Sequence, residues 1–310
     1  MNILILGAAG FIGTNLTIAL AQNTHNQITL VDKDINYFSH IKEYGFNNVV
    51  IKESSLDEKE DFRMLEGQDT VYHLVSTNVP TTSNQHISQD IRSNVLFSSD
   101  LFEACVRYNV KKIVFISSGG TVYGKESVCP LKESTPTNPI SSYGVQKITI
   151  EKLLYLYNYM YGLDYRIIRL ANPYGPYQRP NGVLGAVTTF TYKALKGEQI
   201  QVYGDGTVVR DFIYIDDVIR AIIKIVYGES RHHIFNLGCG YGTSIRTVLE
   251  TVEEALHIKM DIVYQPARAV DVPVNYLDIS RYENDYGKLN PISLEDGIKK
   301  TAEFLMRKMI

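Results

Sequence analysis

The beginning of the chain constrains the fold more than any other stretch. Residues 2–6 are a short run of apolar side chains, which is typical of a fully buried parallel strand. A glycine-rich turn at 7–13 follows at once and leads into a helical segment over 14–21. The next apolar run, 28–31, ends at Asp32. A strand, a glycine-rich turn, a helix, a second strand and an acid in this order predict a dinucleotide-binding fold.

The turn and the acid also predict which dinucleotide is bound. Gly7, Gly10 and Gly13 allow a tight turn and a close approach to a pyrophosphate, whose charge is favourable at a helix N-terminus. Asp32 is expected to hold the adenosine ribose, and an acid there favours a free ribose hydroxyl over a 2′-phosphate. The sequence therefore predicts NAD rather than NADP, although Lys33 beside the acid keeps NADP open. The alternative interpretation of the glycines is a structural turn.

The rest of the chain alternates between strand-like and helical segments. Short apolar runs typical of strands are separated by longer polar or amphipathic stretches. The runs are 49–51, 70–74, 112–117, 165–170 and 234–237, and the helical stretches are 91–108, 142–161, 216–227, 244–256 and 293–309. The last stretch opens with a capping pattern, Ser293-x-x-Asp296. This alternation predicts an α/β fold with a Rossmann-type doubly wound parallel sheet.

A change in composition predicts a second, smaller domain. Prolines, glycines and aromatic residues are frequent over 172–206. We therefore expect an NAD-binding Rossmann domain over 1–172 and a substrate-binding α/β domain over 173–310. Residues 213–238 are a segment that can pack back onto the first domain, so the boundary need not be a single cut.

Charge and cysteine usage exclude several classes of partner. The formal net charge is −3 and no long run of Lys or Arg occurs, which argues against nucleic acid or an anionic membrane. No apolar segment is long enough to span a bilayer. Cys105, Cys129 and Cys239 lack Cys-x-x-Cys pairing, so we expect free thiols and a cytoplasmic location. The histidines lack metal-ligand spacing, and no metal is predicted.

A tyrosine and a lysine four residues apart form the candidate catalytic pair. On a helix over 142–161, Tyr143 and Lys147 project from the same face, so the ammonium group can approach the phenol. A neighbouring positive charge favours the phenolate and lowers its pKa, and a phenolate can take a hydroxyl proton. The alternative is an ordinary amphipathic helix.

Four motifs, taken together and in this order, resemble those of the extended short-chain dehydrogenase/reductase family. They lie at 7–13, 117–124, 143–147 and 210–212. The likeness covers essentially the whole chain and is strongest to UDP-glucose 4-epimerases and related nucleotide-sugar epimerases. It is more specific for the fold and the cofactor than for the substrate.

The resemblance implies NAD-dependent 4-epimerisation of a nucleotide sugar. The implied substrate is a UDP-hexose such as UDP-glucose or UDP-galactose, or an N-acetyl or uronate form. Tyr143, as phenolate, would remove the proton of the sugar 4-hydroxyl while the hydride on carbon 4 passes to NAD and returns to the other face of a 4-keto intermediate. Lys147 would lower the pKa of Tyr143 and bind the nicotinamide ribose, and no external reductant would be needed.

The resemblance also implies the residues that bind the two ligands. The cofactor-binding residues would be Gly7, Gly10, Phe11, Ile12, Gly13, Asp32, Lys33, Leu56, Leu74, Ser76, Asn94, Ser117, Tyr143 and Lys147. The substrate-binding residues would be Ser118, Asn172, Arg210, Arg268 and Asp271, with Asn275 as a gate for N-acetylated sugars. The arginines suit a diphosphate because a guanidinium group donates parallel hydrogen bonds, and the alternative for each is a surface ion pair. For Asn94 the alternative is a polar residue on a helix face.

Gly119 departs from the family at the position where a catalytic serine or threonine commonly stands. A glycine cannot hydrogen-bond the sugar oxygen or relay its proton, so Ser118 is the expected catalytic substitute, with Thr121 or water as alternatives. Gly120 and Thr121 occupy the places where dehydratases and decarboxylases of the family carry carboxylates. The resemblance therefore argues against both of those reactions.

Two other functions stay open, and the family implies an assembly. The chain could be a nucleotide-sugar 4-ketoreductase or another sugar-nucleotide epimerase, or an NAD-sensing protein with a degenerate site. The family further implies a homodimer through the helices at 91–108 and 142–161. The apolar residues at helical spacing there are Leu96, Phe97, Leu101, Leu154 and Tyr157, although the same side chains could pack on the sheet.

Overall fold

A computed structural model describes residues 1–56, 59–78, 80, 83–125, 128–180, 185–267 and 272–309. The strands are β1 (Asn2–Leu6), β2 (Gln27–Asp32), β3 (Val49–Glu53), β4 (Thr70–His73), β5 (Lys112–Ser118), β6 (Asp164–Leu170), β7 (Asn172–Tyr174), β8 (Ile200–Tyr203), β9 (Val209–Arg210), β10 (Phe212–Tyr214), β11 (Ile234–Leu237), β12 (Thr243–Ser244), β13 (Ile262–Gln265) and β14 (Val274–Asn275).

The helices agree in kind with those predicted and add several short ones. They are α1 (Phe11–Ala21), α2 (Ser39–Lys42), α3 (Ile87–Asp90), α4 (Phe97–Arg107), α5 (Ser142–Tyr161), α6 (Ala186–Lys196), α7 (Ile215–Tyr227), α8 (Ile245–Leu256), α9 (Ser280–Tyr286) and α10 (Leu294–Met309). A π-helical turn, Ile91–Leu96, joins α3 to α4, and 3-10 turns cover Ile35–Phe38 and Lys59–Leu65. Helix α6 was not predicted, because its threonines, valine and aromatic residues have low helix propensity.

Seven strands form one parallel sheet in the order β11-β6-β5-β4-β1-β2-β3, with helices flanking it. Strand β1 pairs in parallel with both β2 and β4, and Leu6 lies opposite Val31 and His73. The strand order reverses between β1 and β4, and ligands of such sheets bind where this reversal leaves a crevice at the carboxyl ends. The prediction of a doubly wound Rossmann-type sheet is confirmed.

The chain forms two compact units, of which the first comprises Met1–Ser117, Ile140–Ile168 and Arg231–Ile234. Its core packs apolar side chains of β1, β2, β4, β5 and β6 against those of α4 and α5. Leu101, Leu154 and Tyr157 belong to this core. The prediction that they offer a dimer surface is therefore wrong, because the side chains are buried by packing within the unit.

The second unit comprises Ser118–Pro139, Arg169–Ser230 and Phe235–Ile310. Its described residues include three smaller sheets, β10-β7, β12-β9-β14 and β13-β8. The predicted cap of the last helix is confirmed, since Ser293 Oγ accepts a hydrogen bond of 3.1 Å from the Asp296 amide. The functional division into domains at residue 172 stays a prediction. Within the described residues no helix has both the length and the apolar character needed to cross a bilayer.

Candidate active site

The glycine-rich turn packs closely against its neighbours at the carboxyl edge of the sheet. Gly7 has a φ of +78°, and a Cβ there would lie 3.1 Å from the backbone of Leu74 and Val75. A Cβ at Gly13 would lie 2.7 Å from Ala8 Cα, which leaves no room for a side chain between the turn and α1. Glycine is therefore required at both positions, and the turn holds β1, α1 and the loop after β4 together.

The N-terminus of α1 and Asp32 lie on either side of this turn. The helix begins at Phe11, and Gly10 provides no side-chain cap, so the N–H groups of the first turn have no partner within the helix. Asp32 accepts hydrogen bonds from the amides of Ala9 and Lys33, at 3.0 and 2.9 Å. The residues present fit a dinucleotide, because a backbone that can approach a pyrophosphate, a helix N-terminus and an acid for the ribose occur together.

Three further predicted cofactor-binding residues lie near the ends of β3 and β4. Leu56 is buried and has a φ of +62°, an uncommon conformation for a leucine, and its amide donates to Ser54 Oγ. Leu74 donates its amide to Leu6 O at 3.0 Å, which continues the pairing of β4 with β1. Ser76 is exposed, and its hydroxyl donates to Asn78 O. Their contacts with a cofactor stay predictions.

A cavity in the first unit is lined by the candidate catalytic pair. Its walls come from the loop after β4, the π-helical turn and α5, namely Val75, Ser76, Asn78, Asn94, Tyr143, Gln146, Lys147 and Ile150. Helix α5 starts where predicted because Ser141 Oγ accepts a hydrogen bond from the Gly144 amide at 3.2 Å. Tyr143 therefore lies in the first turn of α5, and Lys147 lies one turn later on the same face.

The surroundings of Tyr143 and Lys147 oppose charge on both. Lys147 Nζ donates to Ile116 O at 2.9 Å and lies 5.3 Å from the centre of the Tyr143 ring. Burial lowers the pKa of Lys147 to about 8 and raises the pKa of Tyr143 to about 12. Burial is thus the larger effect on Tyr143 in the protein by itself, and the lowering of its pKa by Lys147 stays a prediction. The Tyr143 hydroxyl makes no hydrogen bond within the described residues.

Asn94 connects the loop after β4 to α5. Its Oδ1 accepts a hydrogen bond from the Thr77 amide at 3.0 Å, and its Nδ2 donates to Gln146 Oε1 at 3.0 Å. Because Asn94 is buried, the alternative interpretation as a polar residue on a helix face is wrong. Gln146 was not predicted as part of the site. Its spacing of three residues from Tyr143 on a helix was the signal that could have found it.

The serines at the end of β5 have different environments. Ser117 is buried, and its hydroxyl donates to Glu151 Oε1 at 2.5 Å. The Ser118 hydroxyl has no hydrogen-bond partner in the described parts of the chain. Thr121 Oγ1 is buried and likewise has no partner among these residues. The hydroxyl of Ser117 is thus engaged within the first unit, whereas the hydroxyls of Ser118 and Thr121 are available.

The structure explains why residue 119 is glycine. A Cβ at Gly119 would lie 2.5 Å from Leu277 Cδ1 and 3.1 Å from Arg169 O. Leu277 is fully buried and cannot move aside without loss of packing. The side chain of Leu277 therefore occupies the space that a serine at position 119 would need.

The predicted substrate-binding residues that are described belong to the second unit. Pairing of β7 with β10 sets Asn172 opposite Phe212, close in sequence to Arg210. Asn172 Nδ2 donates to Asp211 O at 2.9 Å, and one nitrogen of Arg210 donates to Val209 O and Val272 O at 2.8 and 2.6 Å. These bonds to backbone carbonyls fix the positions of both side chains.

Three other predictions concern the same unit. Asn275 is buried and lies opposite Arg210 in the pairing of β14 with β9. Arg268 and Asp271 lie outside the described residues. Among the described residues no three His, Cys, Asp or Glu side chains are grouped as they would be around a metal ion.

Comparisons with known proteins agree with these features. Residues 3–238 match the NAD dependent epimerase/dehydratase family. The chain is 32% identical to the UDP-glucose 4-epimerase of Mycolicibacterium smegmatis over 99% of each protein. It is 33% identical to a dTDP-4-dehydro-6-deoxyglucose reductase of Escherichia coli, over 99% of this chain and 98% of that protein. The crystal structure of a UDP-glucose 4-epimerase with UDP-glucose, from Thermotoga maritima, superposes with a TM-score of 0.91 and 33% identity over the whole of both chains.

Proposed function

The chain belongs to the NAD-dependent epimerase/dehydratase family, and on that premise we propose the reaction it catalyses. The protein is an NAD-dependent nucleotide-sugar epimerase. The proposed substrate is a UDP-hexose, either UDP-glucose and UDP-galactose or an N-acetyl or uronate form. The proposed reaction inverts carbon 4 through a 4-keto intermediate. The observation that carries this proposal is the placement of Tyr143 and Lys147 at a cavity shared with the loop that packs on the glycine-rich turn.

The residues of the first unit supply binding and proton transfer. When bound, NAD would supply a hydride acceptor and donor for carbon 4 and, in its oxidised form, a positive charge. The turn at 7–13 would hold the pyrophosphate, and Asp32 would hold the adenosine ribose. The Tyr143 phenolate would take the proton of the sugar 4-hydroxyl, and the phenol so formed would later give it back to the 4-oxygen. Lys147 would favour the phenolate as a neighbouring cation.

In the second unit, we propose that Ser118 hydrogen-bonds the sugar 4-oxygen. Its unpartnered hydroxyl supports this role, and Leu277 excludes a side chain at Gly119. The buried hydroxyl of Thr121 is the alternative. The proposed ligands of the nucleotide diphosphate and its ribose are Asn172, Arg210, Arg268 and Asp271. No carboxylate occurs at Gly120 or Thr121, which supports epimerisation over dehydration or decarboxylation.

The test is a product panel. Purified protein is incubated without added NAD with UDP-glucose, UDP-galactose and their N-acetyl and uronate forms, and the products are followed by NMR. We expect a 4-epimer from at least one substrate, since the cofactor is regenerated in each turnover. If no substrate gives a 4-epimer, the proposal is wrong.

A nucleotide-sugar 4-ketoreductase is the second candidate. The identity of 33% to the Escherichia coli reductase favours it over other reactions of the family. A reductase consumes free reduced cofactor in proportion to a 4-keto sugar, whereas an epimerase does not. Loss of NADH absorbance equal to the amount of keto sugar supplied would therefore favour the reductase.

We also propose a homodimer and a cytoplasmic location. Of the five apolar residues predicted for a dimer surface, Leu96 is exposed, and α5 adds exposed Leu156, Tyr159 and Met160. Side chains of this kind on a helix support contact with a second copy of the chain.

The cytoplasmic proposal rests on Cys105, Cys129 and Cys239, which are free thiols.

A further inference from the structure

Helix α5 carries a pair of opposite charges into the core of the first unit. Lys147 and Glu151 lie one helical turn apart on its buried face, with 7% and 3% of their surfaces exposed. Burying a single charge is costly, and a partner of opposite charge reduces that cost. The pair therefore needs an explanation in terms of what each charge does.

The groups that face Lys147 come from three elements. Tyr143 and Glu151 lie on α5, and β5 provides the carbonyl of Ile116 and the ring of Phe115, which is 4.6 Å from Lys147 Nζ. His73 on β4 also faces Lys147. Among the described residues, Glu151 is the carboxylate that acts on Lys147, and its negative charge opposes the effect of burial on the pKa of Lys147.

His73 adds no charge to this environment. Its Nε2 lies 2.8 Å from Ser98 Oγ, and that hydroxyl donates its own hydrogen to Asn94 O at 2.6 Å. Nε2 must therefore carry the proton and donate it to Ser98, which leaves Nδ1 without one. Burial lowers the pKa of His73 to about 3, so the ring is neutral at working pH.

Glu151 is held in place by the strand that Lys147 contacts. Ser117 Oγ donates to Glu151 Oε1 at 2.5 Å, and Lys147 Nζ donates to Ile116 O at 2.9 Å. Two neighbouring residues of β5, Ile116 and Ser117, thus bind Lys147 and Glu151. Ser118, the proposed partner of the sugar oxygen, is the next residue along the chain.

We propose that Glu151 is a positioning residue for the reaction, because its buried carboxylate keeps the proton on Lys147 that the catalytic tyrosine needs beside it. This inference rests on the proposed function. Without the carboxylate, Lys147 would lose its proton at a lower pH and could no longer favour the phenolate. In the wild type, the rate should fall above about pH 8, because burial lowers the pKa of Lys147 to about 8.

Two substitutions separate the charge of Glu151 from its hydrogen bond. Glu151→Gln keeps an oxygen that can accept from Ser117 but removes the charge. Glu151→Asp keeps the charge but is too short to keep the bond. The measurement is the pH dependence of kcat between pH 6 and 10. We expect the basic limb to move down by about 1 pH unit or more in Glu151→Gln and to stay near the wild type in Glu151→Asp.

A purely structural role predicts the opposite order. Glu151→Asp would then be the more damaging change, and the basic limb of Glu151→Gln would coincide with the wild type, which overturns the proposal. If Glu151→Gln does not fold, Glu151→Asp tests the proposal by itself. A shift of the basic limb of its kcat profile to lower pH would contradict a role for the charge. Glu103→Gln on α4 is the matched control, because its exposed carboxylate is near Tyr157 rather than Lys147.

The pH dependence of thermal unfolding gives a readout independent of turnover. The folded pKa of Lys147, about 8, lies below the unfolded value of about 10.4, so the unfolded chain binds more protons between them and this group makes stability rise with pH there. In Glu151→Gln this rise in stability should begin at a lower pH. The thermal unfolding midpoint should therefore increase more between pH 6.5 and pH 8 in the variant than in the wild type. If the midpoints of the variant and the wild type differ by the same amount at both pH values, the inference is overturned. An inactive wild type would instead overturn the proposed function alone.

Discussion

At the scale of single residues, the surroundings of the candidate catalytic pair, Tyr143 and Lys147, disfavour the charged form of each. Burial raises the pKa of Tyr143 to about 12 and lowers that of Lys147 to about 8. Both changes disfavour a phenolate beside an ammonium group in the protein by itself. An additional positive charge near the phenol would reverse the balance for Tyr143. The base is therefore expected to become active only when a cationic ligand lies beside it.

Replacement of Tyr143 tests the identity of the base. Tyr143→Phe removes the hydroxyl and keeps the ring, so we expect turnover to fall by roughly 10²- to 10⁴-fold with the fold intact. The measurement is the rate of 4-epimer formation by NMR, with the unfolding midpoint as a check. Tyr155→Phe, an exposed residue of the same helix, should keep the wild-type rate. Unchanged turnover in Tyr143→Phe would favour a sensing protein over an enzyme.

Two adjacent glycines provide a matched test of packing beside Ser118. Gly119→Ala places a Cβ against Leu277 and the Arg169 carbonyl, and we expect it to lower the free energy of unfolding by about 1–3 kcal/mol. A Cβ at Gly120 meets, among the described residues, only Ser118 Oγ at 4.0 Å, so Gly120→Ala should change the free energy of unfolding by less than about 0.5 kcal/mol. Urea unfolding measures both. Equal effects would show that Leu277 does not fill the space beside residue 119.

At the scale of elements, a π-helical turn fixes one wall of the candidate site. Ile91–Leu96 interrupts the regular helix between α3 and α4, and such turns are frequent at functional sites. It directs the side chain of Asn94 inward. There Asn94 accepts a hydrogen bond from the Thr77 amide and donates one to Gln146 Oε1. Asn94 thereby connects the loop after β4 to the start of α5, where Asn78 also donates to Gln146 Oε1.

Removal of Asn94 should loosen this wall. Asn94→Ala leaves the Thr77 amide without its acceptor and removes one of the two hydrogen bonds to Gln146 Oε1, and we expect a loss of about 1–3 kcal/mol in the free energy of unfolding. Faster amide hydrogen exchange over 74–78 is expected with it. Asn47→Ala, at an exposed position, is the control and should change stability by less than about 0.5 kcal/mol. Unchanged exchange in Asn94→Ala would contradict the role of this residue.

At the scale of the whole molecule, the four sequence motifs divide between the two units. The glycine-rich turn and the Tyr143–Lys147 pair belong to the first unit, whereas residues 118–124 and 210–212 belong to the second. The proposed cofactor ligands thus lie mainly in one unit and the proposed substrate ligands in the other. In the proposed function, the first unit would bind the dinucleotide and the second unit the nucleotide sugar.

Assembly is the prediction that belongs to this scale. We expect light scattering at micromolar concentration to give the mass of a dimer. Tyr159 is 80% exposed on α5, and Tyr159→Glu should shift the mass towards that of a monomer because a charge at an apolar interface is unfavourable. Val128→Glu, at a position 86% exposed elsewhere, should leave the mass unchanged. A wild-type monomer would contradict the homodimer.

The fold and the cofactor could be predicted from the sequence because their signals are local. A buried strand, a glycine-rich turn and an acid after the next strand lie within the first 32 residues, and the spacing of Tyr143 and Lys147 fixes their common face. Gln146 and Glu151 share that helical periodicity, but nothing local reveals their partners on the π-helical turn and β5. Helix α6 was missed because its propensity is low and its packing against α8 and α10 decides its structure.

Only the tertiary structure decided the electrostatics of the site and the space within it. The pKa values of Tyr143 and Lys147 depend on burial in the folded protein, which the spacing of the pair does not contain. The absence of a side chain at Gly119 depends on Leu277, a residue far away in the sequence. Periodicity is a property of neighbouring residues, whereas desolvation and packing depend on every group that folding brings close. The sequence by itself therefore determined which groups are present, and tertiary packing decided which charges they can carry.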